Sequence, residues 1–231
     1  MRSWFPDELI FAGEEHLDPD YVEGYDAKAQ TNPLDDVELL RGLGLNETST
    51  IVDLGAGTGV FALAVAPYCK KVIAVDVSQA MIDWLATRAA NDGITNLEIA
   101  HGGFLTYEPA APVDFVYSRN ALHHLSDFWK VVALQRVAAM LNPGGVLRLR
   151  DLVYSFPVDE IEPRIERWLA GGAPTPDRGW TSEELAIHVR TEFSTFSWLL
   201  EPMLERTGFE IKDVEHAPIG AYSAYTCVRR G

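Results

Sequence analysis

Residues 51–59 read Ile51-Val52-Asp53-Leu54-Gly55-Ala56-Gly57-Thr58-Gly59. A short apolar run that ends abruptly in alternating glycines predicts a buried strand entering a tight turn. The apolar, Ala-rich residues 60–65 that follow predict a helix. In α/β proteins, a strand, a glycine-rich loop and a helix in this order present backbone N–H groups to a nucleotide-like ligand. This stretch therefore predicts an α/β fold and a ligand of that kind.

Predicted strands and helices alternate from residue 50 to residue 152. Further apolar runs predict strands at 71–76, 97–101, 113–118 and 146–152. Helical periodicity appears at 33–41, 79–91 and 127–141. The continuous apolarity of the strands indicates burial on both faces, as in parallel sheets. The alternation is typical of a doubly wound, Rossmann-like sheet with helices on both faces.

Residues 153–208 interrupt this alternation. They predict a helix at 160–169, a second helix that starts at a Thr181–Glu184 capping box, and a third that runs from Phe196 to Gly208. Residues 209–214 and 221–228 then predict a closing pair of strands. The acidic, aromatic residues 1–32 have two interpretations: a lid over a ligand, or an arm held to the core by its aromatic side chains.

The composition excludes several classes of function. The 231 residues carry a net charge of −15, and such a surface repels nucleic-acid phosphates. No apolar run approaches the length of a membrane span, and the N-terminus lacks the long apolar segment of a secretory signal. The two cysteines give neither a metal-ligand spacing nor a disulfide framework. We therefore expect a cytoplasmic protein without a metal site.

The next predicted strand ends in an acid, Asp76, which lies 19 residues after Gly57. A carboxylate at this place can accept hydrogen bonds from both hydroxyls of a ribose. The combination fits NAD and also S-adenosylmethionine. Asp53, two residues before the first glycine, favours the second ligand, because a carboxylate repels a pyrophosphate but attracts an ammonium and a sulfonium.

Four motifs then appear in order with regular spacing: residues 51–59, 75–82 (Val-Asp-Val-Ser-Gln-Ala-Met-Ile), 118–125 (Ser-Arg-Asn-Ala-Leu-His-His-Leu) and 141–145 (Leu-Asn-Pro-Gly-Gly). Together they resemble the motifs of class I S-adenosylmethionine-dependent methyltransferases, in the form seen in ubiquinone/menaquinone-biosynthesis-type enzymes that act on small molecules. The resemblance covers about residues 45–155. It implies a mostly parallel sheet of seven strands with an antiparallel last strand and small helical cap elements.

The resemblance also implies a single domain over 1–231. Its parts would be an N-terminal arm and helix (1–44), a cofactor-binding core (45–155), a helical insertion that shapes the acceptor pocket (156–208) and the closing strand pair (209–231). The implied activity is in-line transfer of a methyl group from S-adenosylmethionine to a small molecule. Two alternatives remain at this point: a non-catalytic S-adenosylmethionine-binding protein and an NAD(P)-linked oxidoreductase.

Ten residues take cofactor-binding roles by this resemblance. The methionyl part would be held by Asp53, Gly55, Ala56, Gly57 and the Asn120 backbone, the ribose by Asp76, and the adenine by Val77, Met81, Gly103 and Phe104. One position departs from the family pattern. The family commonly has Gly-Asp after the third strand, with the Asp accepting from the adenine amino group, whereas this chain has Gly102-Gly103.

The sequence gives less specific signals for the residues that would bind the methyl acceptor. Tyr21, Tyr25, His124 and Asp151 are candidates for substrate contact. A general base is needed only if the acceptor holds its proton near neutral pH. The candidates for that base are His123, His124, Tyr25 and Asp151. The alternatives are a capping or supporting role for the two histidines and, for Asp151, an ion pair with a neighbouring arginine.

Overall fold

One sheet of eight strands organises the described part of the chain, residues 3–13, 18–29 and 32–231 of a computed structural model. The strands are β1 Thr50–Leu54, β2 Lys71–Asp76, β3 Leu97–His101, β4 Val113–Arg119, β5 Leu141–Tyr154, β6 Thr195–Phe196, β7 Phe209–His216 and β8 Tyr222–Arg229. The helices are α1 Pro19–Ala29, α2 Leu34–Gly42, α3 Val60–Val65, α4 Gln79–Asn91, α5 Asp127–Met140, α6 Ile161–Ala170, α7 Ser182–Thr191 and α8 Ser197–Arg206.

The strand order is β3-β2-β1-β4-β5-β8-β7, and the two-residue β6 pairs with β5 beside this path. Strands β1 to β5 are parallel, whereas β8 is antiparallel to both β5 and β7. The predicted doubly wound sheet with an antiparallel last strand is therefore confirmed, with β6 as an addition. The strand order reverses at β1, so the carboxyl ends of β1 and β4 border the crevice where such sheets bind ligands.

Apolar side chains cover both faces of this sheet. One buried cluster includes Val52, Val116 and Leu149 with residues of α5 and α8. The other includes Ile51 and Val72 with residues of α2 and α3. This two-sided burial explains the continuous apolarity of the strands, because neither face has to meet water. Among the described helices, none is long and apolar enough to cross a membrane.

Local chemistry sets the beginnings of several helices. Ser78 caps α4 by accepting from the Met81 N–H at 3.2 Å, and the predicted capping box of Thr181 with Glu184 starts α7. Gly59 precedes α3 with φ +81°, a left-handed conformation in which a Cβ atom would lie 2.0 Å from Leu85 Cδ1. This turn therefore requires glycine.

A buried ionic network fixes α2 against the sheet. Asp36, which is 1% exposed, accepts from the Tyr117 hydroxyl at 3.0 Å, from Arg148 Nε at 3.1 Å and from an Arg150 Nη at 2.7 Å. The alternative of an ion pair between Asp151 and a neighbouring arginine is therefore wrong. Successive side chains of a strand point to opposite faces, so both arginines of β5 face α2 while Asp151 faces the other side.

The N-terminal residues pack on α5 through their aromatic rings. Trp4 stacks on Trp129 with ring centroids 5.8 Å apart, and Phe5 meets the same ring edge-on at 5.3 Å. Residues 3–11 thus have the anchors expected of an arm. The sequence did not predict the helix α1, because acidic residues and a glycine interrupt its apolar pattern.

Candidate active site

The glycine turn after β1 folds back onto the end of β2. The N–H groups of Gly55 and Ala56 both donate to the Val75 carbonyl, at 2.9 and 3.0 Å. Gly55 has φ +73°, and a Cβ atom on it would lie 2.4 Å from the Ala121 Cβ. Only glycine therefore allows the turn to approach the end of β4 this closely.

Asp76 is held by the backbone on both sides. Its Oδ2 accepts from the Gly57 N–H at 2.8 Å, and its Oδ1 accepts from the Ser78 N–H at 2.8 Å. These bonds orient the carboxylate at the end of β2, beside the turn. The carboxylate thus reaches the ligand crevice in a fixed position.

Asp53 is an unusual acid, because it is only 2% exposed and its Oδ2 has no hydrogen-bond partner among the described residues. Burial, together with the nearby charge of Asp76, raises the pKa of Asp53 to about 8. A cation that bound beside it would remove both the desolvation cost and the repulsion. The ammonium group of S-adenosylmethionine provides such a cation, so the residues present fit this cofactor.

Asn120 follows β4 and is the one non-glycine residue with positive φ, +50°, in the described chain. Its N–H donates to the Arg150 carbonyl at 2.8 Å, which ties the turn to β5. Non-glycine residues in this conformation are strained, and such strain is concentrated at ligand sites. The strained turn lies at the same crevice as the glycine turn.

These features line one cavity at the carboxyl ends of the strands. The structure places all ten predicted cofactor residues on its wall: Asp53, Gly55, Ala56, Gly57, Asp76, Val77, Met81, Gly103, Phe104 and Asn120. Of the four candidates for substrate contact, Tyr25 and His124 also line it. The sequence reasoning missed several further wall residues, among them Glu8, Phe11, Asp26, Arg119 and Trp180. The aromatic content of the arm was the available signal for Phe11.

The other two candidates, Tyr21 and Asp151, are not among the residues that line this cavity. Tyr21 packs with its ring centroid 6.1 Å from that of Tyr25 and with the Lys28 ammonium 5.1 Å from its ring. Asp151 is 2% exposed, accepts from the His123 N–H at 3.0 Å and forms an ion pair with Nδ1 of the same residue. Its carboxylate therefore pairs with His123 and is not part of the cavity wall.

His123 lies between two acids. Nδ1 pairs with Asp151, and Nε2 lies 3.2 Å from Oε2 of Glu192. The other oxygen of Glu192, Oε1, pairs with His188. Burial alone would lower the pKa of His123, but the two carboxylates raise it to about 9. Because carboxylates face both ring nitrogens and His123 is not among the residues that line the cavity, it is not placed to act as a base. His124 and Tyr25 are the candidate bases that reach the cavity.

Three of these side chains, His123, His188 and Glu192, also bring potential metal-ligand atoms within 4.8 Å of one another in the described chain. The same side chains form the ion pairs just described. The expectation of no metal site stays a prediction.

Helix α1 covers one side of the cavity and is tied to its floor. Asp26 accepts from the Thr58 hydroxyl and forms an ion pair with Arg88 of α4. Arg88 also donates to the Thr58 carbonyl at 3.1 Å. Both partners of the ion pair are about one-third exposed. Helix α1 and the floor of the cavity are thus joined at Thr58, within the glycine turn.

Comparison with known proteins gives consistent matches. Residues 51–145 match a family model described as a methyltransferase domain. An uncharacterized methyltransferase of Bacillus mycoides is 24% identical over 202 residues, covering 87% of this chain and 89% of that protein. The trans-aconitate 2-methyltransferase of Azoarcus sp. is 31% identical over 166 residues, covering 66% of this chain and 62% of that protein.

Among solved structures, a SAM-dependent methyltransferase from Aquifex aeolicus has the same fold. Its TM-score is 0.60 at 19% identity, covering 91% of this chain and 97% of that chain. The ubiquinone/menaquinone subtype stays a prediction. The NAD(P)-linked and non-catalytic alternatives receive no support from these matches. Together, the methyltransferase-domain match over residues 51–145, the methyltransferase relatives and the shared fold support a class I S-adenosylmethionine-dependent methyltransferase.

Proposed function

We propose that this methyltransferase acts on a small molecule, which binds in the same cavity as the cofactor, between α1, His124 and Trp180. The observation that carries the proposal is that residues assigned to the cofactor and residues from other parts of the chain line the same cavity. Its floor includes the strand-end residues assigned to the cofactor, and further parts of its wall come from the N-terminal segment, from His124 and from Trp180 of the insertion. A covered cavity of this kind admits a small acceptor and excludes a bulky polymer.

On the cofactor side, the chain's own groups match the parts of S-adenosylmethionine. Asp53 would pair with the ammonium, and Asp76 would accept from the ribose hydroxyls. Gly55 and Gly57 let the backbone approach the methionyl part. Met81 and Phe104, both nearly fully buried, would pack on the adenine faces. The site assignment rests on this match of charge and shape to a ligand with cationic groups at one end.

On the acceptor side, the wall offers aromatic faces from Tyr25 and Trp180 and one fixed positive charge. Among the described wall residues, that charge belongs to Arg119. Its guanidinium lies 4.0 Å from Asp36, whose carboxylate already serves two other arginines. An acidic group on the acceptor would therefore bind beside Arg119. The relative from Azoarcus is named for a small carboxylic acid, trans-aconitate, which agrees with this chemistry.

The bound cofactor supplies a methyl group on a sulfonium, which is a good leaving group. The protein has mainly to orient the acceptor and exclude water, and positioning of this kind can provide most of the rate. Where the acceptor is a phenol or an alcohol, His124 or Tyr25 would take its proton. Where it is a carboxylate, or an amine that is neutral at the working pH, no base is required.

The cofactor half of the proposal is tested by Asp76→Ala. We expect the affinity for S-adenosylhomocysteine, measured by calorimetry, to fall about 10- to 100-fold, because two hydrogen bonds to a charged acceptor are lost. Asp83→Ala is the matched control, since this exposed acid of α4 bonds Gln79 and is not among the residues that line the cavity. Unchanged affinity in Asp76→Ala would show that the ribose assignment is wrong.

The acceptor half is tested by methyl transfer from labelled cofactor to a panel of small carboxylic acids, phenols and amines. We expect transfer to at least one class, with Trp180→Ala raising KM for it while the affinity for S-adenosylhomocysteine stays the same. Transfer to proteins or RNA, with none to any small acceptor, would contradict the proposal.

A further inference from the structure

A carboxylate from the N-terminal segment is inserted into the loop that follows β3. Glu8 begins a short 3-10 helix, Glu8–Phe11, and is only 6% exposed. Its Oε2 accepts from the Leu105 N–H at 3.0 Å and from the Thr106 hydroxyl at 3.1 Å. Glu8 also lines the cofactor cavity. An acid from one end of the chain thus becomes part of a wall formed 97 residues later.

The loop is shaped to admit this carboxylate. A Cβ atom on Gly103 would lie 2.5 Å from both Cδ and Oε1 of Glu8 and 2.8 Å from its Oε2. Any side chain at position 103 would therefore displace the Glu8 carboxyl group. The Glu8 carboxylate and the absence of a side chain at 103 are complementary. The Glu8 carboxylate therefore occupies the place where the Cβ atom of an Asp at position 103, the residue of the family pattern, would lie.

The insertion is supported from both ends. On the arm, Asp7 accepts from the Leu9 N–H at 3.1 Å and fixes the 3-10 turn, while Trp4 stacks on Trp129 of α5. On the loop, Arg136 of α5 donates to the Phe104 carbonyl at 3.2 Å and to the Tyr107 carbonyl at 2.8 Å. The N-terminal arm and the loop after β3 are thereby both fixed to α5, and this determines the position of the Glu8 carboxylate.

The position of Glu8 along the cavity indicates its ligand. Strands β3, β2 and β1 lie side by side, and their ends carry, in that order, the loop that holds Glu8, the carboxylate of Asp76 and the carboxylate of Asp53. If Asp53 meets the ammonium and Asp76 the ribose, the base must extend toward β3. The adenine base has one exocyclic donor, its 6-amino group, and a carboxylate is the matching acceptor.

We propose that Glu8 is a cofactor-binding residue that accepts a hydrogen bond from the 6-amino group of adenine and so selects an adenosyl over an inosyl cofactor. The inference rests on the proposed function, because it takes the ribose and methionyl positions from it. Burial raises the pKa of the Glu8 carboxyl. A donor that arrives with the ligand offsets this desolvation. The N-terminal segment then belongs to the binding site for the cofactor.

The experiment compares two ligands, S-adenosylhomocysteine and S-inosylhomocysteine, which differ by a 6-amino and a 6-oxo group. Calorimetry on the full chain gives the ratio of their dissociation constants. We expect the wild-type protein to prefer the adenosyl ligand by about 10- to 100-fold, the range for a hydrogen bond to a charged group. Glu8→Gln, whose amide can donate to a 6-oxo group, should reduce or reverse this preference. Asp7→Asn removes the same charge one residue earlier and keeps the helix cap, so its ratio should equal that of the wild type.

Two further variants separate recognition from support of the loop. Gly103→Asp alone should weaken adenosyl binding, because the new Cβ collides with Glu8. Combined with Glu8→Ala, the same Asp should restore the preference from its own side of the contact. A Glu8→Gln variant that weakens both ligands by the same factor would overturn the inference, since Glu8 would then only support the loop. If the wild-type protein binds neither ligand, the proposed function fails. If it binds both equally well, only the role of Glu8 fails.

Discussion

The raised pKa of Asp53, the buried acid at the end of β1, leads to a quantitative prediction about proton release when the cofactor binds. With its pKa raised to about 8, Asp53 in the ligand-free protein is about one-tenth ionised at pH 7. Pairing with the ammonium of the cofactor requires the ionised form. Binding at pH 7 should therefore release close to one proton, and ionising Asp53 first costs about 1.4 kcal/mol, the value of one pKa unit.

The affinity should accordingly rise with pH. Between pH 6 and pH 7 the ionised fraction of Asp53 grows about tenfold, and the affinity for S-adenosylhomocysteine should grow by nearly the same factor. Measurements are best kept between pH 6 and pH 7, where the ammonium group of the ligand keeps its charge and only the ionisation of Asp53 changes. The ligand-free protein should show the opposite trend in stability. The pKa of Asp53 is raised from 3.8, so the folded state retains a proton that the unfolded chain has lost, and stability falls as the pH rises toward 8.

Calorimetry in phosphate and in bis-Tris, which both buffer between pH 6 and 7 and differ in their heats of ionisation, measures the number of protons released. We expect close to one for the wild type at pH 6 to 7 and close to zero for Asp53→Asn, which should also lose the pH dependence of affinity. Asp83→Asn, an exposed acid, should behave like the wild type. Proton release of the same size in Asp53→Asn, or none in the wild type, would refute the reasoning.

Three further predictions concern the fold around the site. Asp36→Asn removes the buried carboxylate that pairs with Arg148 and Arg150 and should lower the free energy of unfolding in urea by about 3 to 5 kcal/mol. Glu38→Gln on the exposed side of α2 should change it by less than about 1 kcal/mol, and equal effects of the two variants would argue against the network. Gly59→Ala should cost about 2 to 4 kcal/mol in the same measurement, from the left-handed backbone and the collision with Leu85, and a neutral result would contradict the close approach. The pKa of His123 is raised from 6.5 to about 9, so the protonated side chain stabilises the fold fully below pH 6.5 and this stabilisation is lost as the pH rises through 9. The Tm should therefore fall between pH 7 and 9, and it should fall less in the His123→Gln variant.

The sequence was most informative where structure is local. The glycine turn, the capping box of Thr181 with Glu184 and the acid at the end of β2 depend on neighbours a few residues away, and all three were predicted from their spacing. The parallel, doubly wound sheet followed from the alternation of strands and helices, and its antiparallel last strand followed from the resemblance in four motifs. Backbone conformation and short-range hydrogen bonds dominate in these elements, so residue type alone carries the signal.

Long-range pairings were not predictable in this way. Gly103 departs from the family pattern, but nothing in the sequence near Glu8 indicates that its carboxylate fills the space beside Gly103. The partner of Asp151 was sought among its neighbours on β5, but it is His123, reached through the fold. Trp180 comes to the cavity wall from an insertion whose packing depends on α6 and α7. Such contacts are set by how elements meet, and propensity does not determine this.

The ion pair between Asp26 and Arg88 has a consequence for the timing of the catalytic cycle. Because it joins α1 to the floor of the cavity, we expect exchange of spent product for fresh cofactor on that side to be slower while the pair is formed. Dissolved ions weaken a pair that is one-third exposed. Raising the ionic strength should then shorten the residence time of S-adenosylhomocysteine more in the wild type than in Arg88→Gln, so that a partly exposed surface contact sets the rate at which the enzyme empties.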